Sequence, residues 1–308
     1  MRVLARGFAL MGRQRDGWRR PERAQGLGIV LLCLAIVTFT LMDATAKYLT
    51  QSYHPAQVVW VRFVTNLAIV LLLFRQRVPV LLRTRQPGLQ IARALTQLGS
   101  VGLFFTSLQF IGLAEATAIM DLNPVLITLG AALFLGERIG PRRAMGIVAA
   151  LVGAVIIIRP GPGVFQPAAL LPLMGAFTYA AGALLTRMVR GDSIATSILW
   201  SALIGTALTS IAVPFFWSPI DPAHLGAFLM LGIFGTIAQT LLIRAFSLAE
   251  ASTLAPFGYL GLIFAGLWGA LFFDQLPDRW TVLGAVIIVT AGLYVWSREA
   301  RAIEARMG

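Results

Sequence analysis

The sequence predicts an all-α integral membrane protein of ten transmembrane helices, arranged as two inverted five-helix repeats. Three observations carry this reading. Of 308 residues, 58% are hydrophobic and 12% charged, too little polar surface to clothe a soluble globule of this size. Uncharged apolar stretches recur from Gly26 to Trp296, each near the roughly 20 residues that cross the hydrocarbon of a bilayer. Segments of the first half also reappear in the second.

Taken in order, the spans read as 26–49, 56–74, 89–111, 116–135, 142–158, 167–186, 193–216, 224–243, 252–273 and 280–297. They delimit a basic cytoplasmic segment 1–25, a first repeat 26–160, a second repeat 165–297 and a cytoplasmic tail 298–308. The net charge of +12 invites a nucleic-acid partner, but the cations track the topology instead. With the N-terminus inside, twenty of the 25 Lys and Arg residues fall on cytoplasmic segments and only Arg159 and Arg279 on outward ones. A missed or surplus helix would invert this alternation beyond it. The charges therefore support the count, the orientation with both termini cytoplasmic, and the exclusion of nucleic acid. The Arg-rich start lacks a small-residue cleavage site and reads as the approach to a retained first helix; a start at Met11 leaves the topology unchanged. Cys33 is the single cysteine and reads as an inert buried thiol.

The repeat shows in two matched segments. Ala114-Glu115-Ala116-Thr117 opens the fourth span and Ala249-Glu250-Ala251-Ser252 the ninth, an offset of 135. Phe134-Leu135-Gly136-Glu137 with Gly146 matches Phe272-Phe273-Asp274-Gln275 with Gly284 at an offset of 138. Because each half has an odd number of spans, the second copy enters the membrane from the opposite side, an arrangement that suits alternating access to a site near the midplane. Small residues, Gly261, Ala265 and Gly269 on the ninth span and Ala149 and Gly153 on the fifth, serve close helix packing; between subunits they would give a homodimer.

Charge inside hydrocarbon is expensive, so each intramembrane polar residue is either a structural ion pair or part of a path. Asp43 and Lys47 are four apart on one face of the first span and able to pair, with Lys47 near enough to the outer end to snorkel. Arg62 lies about two turns into the second span, with Asn66 one turn on. Asp121 lies at a similar depth in the fourth span, followed by Asn123 and Pro124. Common depth makes Asp43, Arg62 and Asp121 one expected cluster. Pro124 interrupts the fourth span, and Pro256, Gly258 and Tyr259 stand at the matching place in the ninth, a paired interruption of the kind that marks a binding site. Arg93 starts the third span as a snorkelling cation, with Gln97 one turn further in. The second half offers Tyr179, Trp200, Gln239 and Trp268, so charges on one side face aromatic and amide groups on the other. That asymmetry fits an amphipathic small-molecule metabolite.

Other chemistries lack their parts. Lys47 is the single lysine and follows no glycine, so no phosphate-binding loop exists, and transport would run on a gradient without cofactor or metal. His54 and His224 sit at the outer ends of spans, without the cluster that zinc needs, and no nucleophile has a base beside it, so an enzyme is not expected.

The five-plus-five layout, the Ala-Glu-Ala-Thr and Gly-Glu-Arg-Ile-Gly segments around the fourth span and the Gly-rich helix after each copy resemble the EamA family of the drug/metabolite transporter superfamily over 26–296. The second copy departs from the pattern where Asp274-Gln275 replaces Gly136-Glu137. The resemblance implies a central cavity lined by spans one to four and six to nine, in a bacterial inner membrane. Asp43-Ala44-Thr45-Ala46-Lys47-Tyr48, with Gln57, Trp60 and Arg62, is similar to a subgroup whose members carry amino-acid derivatives, opine-type metal chelators, riboflavin or S-adenosylmethionine. The expected function is a secondary exporter of an amino-acid-derived metabolite, such as an opine-type metallophore. The alternatives are an importer of riboflavin, S-adenosylmethionine or a similar cofactor, and a membrane-embedded partner protein without transport of its own.

Overall fold

A computed structural model describes residues 21–135, 140–160, 166–189, 192–249 and 251–307. Most of the basic segment, Gly136, Glu137 and Glu250 lie outside the described residues. The long helices are α1 (Pro21–Thr50), α2 (Pro55–Phe74), α3 (Pro87–Ser107), α4 in two pieces (Leu113–Met120 and Asn123–Leu135) and α5 (Pro141–Ile158). They continue with α6 (Leu170–Met188), α7 (Ile194–Ala212), α8 (Leu225–Leu248), α9 (Leu260–Phe273) and α10 (Arg279–Met307). α9 is entered through a turn of helix, Ala251–Leu254, and a 3-10 segment, Ala255–Tyr259; Val78–Leu81 adds a short helix between α2 and α3. No strand occurs among the described residues.

Helix ends follow local chemistry. Proline opens α2, α3 and α5, where its missing N–H is not needed. The His54 ring accepts from the Ala56 N–H (3.2 Å) at the start of α2, and the Ser193 hydroxyl from the Thr196 N–H (3.0 Å) at the start of α7. Arg159 (φ 47°) and Asp274 (φ 52°) adopt the left-handed conformation that ends α5 and α9.

Among the described residues eight stretches are long and apolar enough to cross a membrane, two fewer than the ten expected. In α3 the reason is physical, since it carries Gln90, Arg93 and Gln97; α5 counts as a shorter apolar helix over Ala144–Ile158. Both helices lie against others. α3 runs along α6 and α5 along α10.

The pairings repeat when the halves are exchanged. α1 lies along α8 as α6 lies along α3, α2 meets α8 as α7 meets α3, and α2–α7, α4–α9 and α5–α10 each pair a helix with its own counterpart. This packing matches the two-repeat architecture. The small residues act inside the chain: a Cβ on Gly153 would lie 2.8 Å from the Gly284 carbonyl oxygen, so α5 and α10 touch backbone to backbone. Ala265 is wholly buried, and Gly261 faces Ile36 of α1.

Candidate functional site

The two interrupted helices meet. In α4 the chain turns at Asp121 and Leu122, and Pro124 cannot donate to the Met120 carbonyl, so the second piece starts afresh at Asn123. In α9 Pro256 sits in the 3-10 segment, and a side chain at Gly258 would meet nothing within 4 Å, which leaves open space at that break. The first piece of α4 packs on α9, bringing Asp121 within electrostatic range of Tyr259. Tyr259 fits because its hydroxyl lies where a Cβ on Gly292 of α10 would be. Asp121 Oδ2, Asn123 Oδ1 and the Tyr259 hydroxyl are shielded from solvent and have no hydrogen-bond partner. Such orphaned atoms are costly unless something else occupies the site.

Asp43 and Arg62 form a second centre. Their charges interact between α1 and α2, and the Arg62 guanidinium stacks over the Phe105 ring of α3 (5.2 Å to its centroid). The expected single cluster is therefore two: the charge that acts on Asp43 comes from Arg62, whereas Asp121 interacts with Tyr259. Depth along a helix says nothing about which face a residue occupies, and this is why equal depth misled.

Two other expectations are corrected. Lys47 neither snorkels nor pairs with Asp43; at 3% exposure its Nζ donates to the carbonyls of Leu108 (3.1 Å) and Ile111 (2.7 Å) and lies over the Phe273 ring. It thus caps carbonyls left open at the end of α3. Arg93 does not snorkel either: it donates to the Ser197 carbonyl, the Ser201 hydroxyl (2.7 Å) and Gln90 Oε1 (3.3 Å), fastening α3 to α7.

Asn66, Gln97 and Gln239 are partly buried on α2, α3 and α8. Trp200 Nε1 is shielded without a partner, and Tyr179 on α6 is 49% exposed. Trp268 Nε1 donates to the Thr40 hydroxyl (3.0 Å), which ties α9 to α1.

The sequence reading missed the groups that close each end of the bundle. Where α1 turns into α2, Gln57 is wholly buried and bonds Ser218 twice, its amide nitrogen to the carbonyl (2.9 Å) and its amide oxygen to the N–H (3.1 Å). Beside it the Tyr53 hydroxyl accepts from the Asp221 N–H (3.0 Å) and shares a hydrogen bond with His224 Nδ1 (2.8 Å). At the opposite end Asp192 accepts from the Thr84 hydroxyl, Gln90 Nε2 (2.9 Å) and the Arg85 N–H (3.3 Å). The Thr84 and Gln90 donors hold its carboxyl below the usual carboxylate range. A cavity of about 350 Å³ also opens at the Tyr53 end of the bundle, between Glu115 of α4 and Gln275 and Asp278 before α10, with the Arg159–Asp278 ion pair on its wall.

The family model of the EamA-like transporter family matches twice, at residues 26–159 and 166–297. Similar curated proteins include the pseudopaline exporter of Pseudomonas aeruginosa strain UCBPP-PA14, 32% identical over 86% of this chain and 94% of that protein. The riboflavin transporter of Rhizobium johnstonii is 29% identical over 91% and 94%. The S-adenosylmethionine uptake transporter of Rickettsia bellii is 26% identical over 92% and 98%. A crystal structure 20% identical in sequence superposes with a TM-score of 0.63 over 92% of this chain and 99% of that one, which shows a shared fold. With its two halves each matched, this chain belongs to the EamA-like transporter family.

Proposed function

We propose that the chain spans a bacterial inner membrane ten times with both ends cytoplasmic, and moves a small amphipathic metabolite by alternating access, as an exporter of an amino-acid-derived solute. The observation that carries this is the meeting of two interrupted helices, one from each half, around polar atoms left without partners. Asp43 and Arg62 offer a carboxylate and a guanidinium to a zwitterion, and Trp200, Tyr179 and Tyr259 offer ring faces and polar tips to its apolar part. The pseudopaline exporter favours outward movement of the solute. The riboflavin and S-adenosylmethionine transporters favour a second reading, uptake of a cofactor.

Purified protein in liposomes tests the function. Counterflow of radiolabelled pseudopaline, riboflavin or S-adenosylmethionine is expected for at least one, and flux of none overturns transport of these classes. Direction is read in cells: a deletion strain that loses extracellular metabolite marks an exporter, and one that fails to grow on low external cofactor marks an importer. Asp43→Ala of normal abundance that restores full flux would remove Asp43 from the site.

A further inference from the structure

The two polar centres differ in one respect that bears on energy coupling. Asp43 has a cation opposite it, whereas among the described residues no cation pairs with Asp121. Met120 and Leu122, its chain neighbours, belong to an apolar cluster. α5 contributes Ala150 and Ala154 to it, α6 contributes Ala176 and Ala180, and α10 contributes Ile288. The polar groups near Asp121 are Asn123 on its own helix and Tyr259 from the break in α9. A bare carboxylate whose Oδ2 is shielded from solvent and meets no donor costs several kcal/mol and is relieved by a proton. The orphan set also needs one. Asp121 Oδ2 meets no donor while the carboxyl is ionised, and a proton on it would offer a donor to Asn123 Oδ1 or to the Tyr259 hydroxyl, which also lack partners.

Resting on the transport reading above, we infer that Asp121 is the proton-carrying group of the cycle and that the Tyr259 hydroxyl accepts the hydrogen bond of the protonated carboxyl across the interface of the halves. When the site faces one side, Oδ2 takes a proton from water there. When the site faces the other side, the same proton leaves Oδ2 to water, and the solute crosses in the opposite direction. One proton enters and one leaves per turn, and no other group changes its protonation. Asp43 and Arg62 keep their charges for the solute throughout.

Mapping the carboxyls of the purified wild-type protein with N,N′-dicyclohexylcarbodiimide, which reacts with protonated carboxyls in apolar sites, needs no solute. Modification at Asp121 rather than Asp43 is expected, falling about tenfold per pH unit once the carboxyl titrates. Modification of Asp43 alone, or of neither, overturns the inference. In liposomes, Asp121→Asn is expected to lose accumulation driven by a pH gradient, and its residual counterflow to lose dependence on pH; accumulation equal to wild type overturns the coupling role. If none of the three solutes moves in the wild type, transport fails as a reading while the carbodiimide map still decides whether Asp121 carries a proton.

Discussion

The two ends of the bundle are fastened by equivalent loops with different chemistry. At the Tyr53 end the α1–α2 turn grips the α7–α8 loop through the Gln57 amide, the Tyr53 hydroxyl and the His224 ring. At the Asp192 end the α6–α7 loop grips the segment between α2 and α3 through one carboxylate. Exchange of the halves carries one fastening onto the other, so they occupy equivalent places in the two inverted repeats. What differs is burial. Gln57 is sealed from solvent and Asp192 is not, so the first fastening depends on unshared backbone bonds and the second on charge that water partly screens.

This contrast can be broken from either side. Gln57→Ala should have the largest effect, because it strands both the N–H and the carbonyl of Ser218 and opens a void; a loss of about 3 kcal/mol in detergent-solubilised unfolding is expected. Asp192→Ala removes an acceptor from three donors at a part-exposed site and should cost about 2 kcal/mol, with increased access of impermeant thiol reagent to a cysteine introduced at its own end only. Tyr53→Phe keeps the ring against Phe228 and removes only the hydroxyl, so about 1 kcal/mol is expected.

Acid sharpens the comparison with the smallest effect. The folded Asp192 carboxyl titrates below its unfolded value, so its contribution is complete above about pH 4 and is lost as pH falls through the folded value. Between neutrality and pH of about 5 the Asp192 end should therefore stay fastened, which thiol access there would show as an unchanged rate. Loosening at that end on mild acidification would mean that Asp192 is not what holds it.

Much of this was legible beforehand. Helix positions followed from apolar runs ended by proline, glycine and charge, and the breaks at Pro124 and Pro256 followed from a ring that cannot donate a hydrogen bond. The partners of the charged residues were not. Lys47 looked like a snorkelling cation because it lies near a helix end, yet the carbonyls it reaches belong to residues about sixty positions away. Arg93 was misread in the same manner, since Ser197 and Ser201 are far along the chain. Asp192 passed unnoticed as an ordinary loop acid.

The sequence by itself determined the solvent, the helical class and the doubling of the chain, because each is a property of composition or periodicity that survives without knowledge of contacts. Tertiary structure alone decided that Asp43 faces Arg62, that Asp121 faces Tyr259, and that Gln57 and Asp192 close opposite ends. Those facts depend on which helical faces meet, and the apolar patterning of a membrane helix leaves its rotation unmarked when both lipid and protein neighbours are hydrophobic.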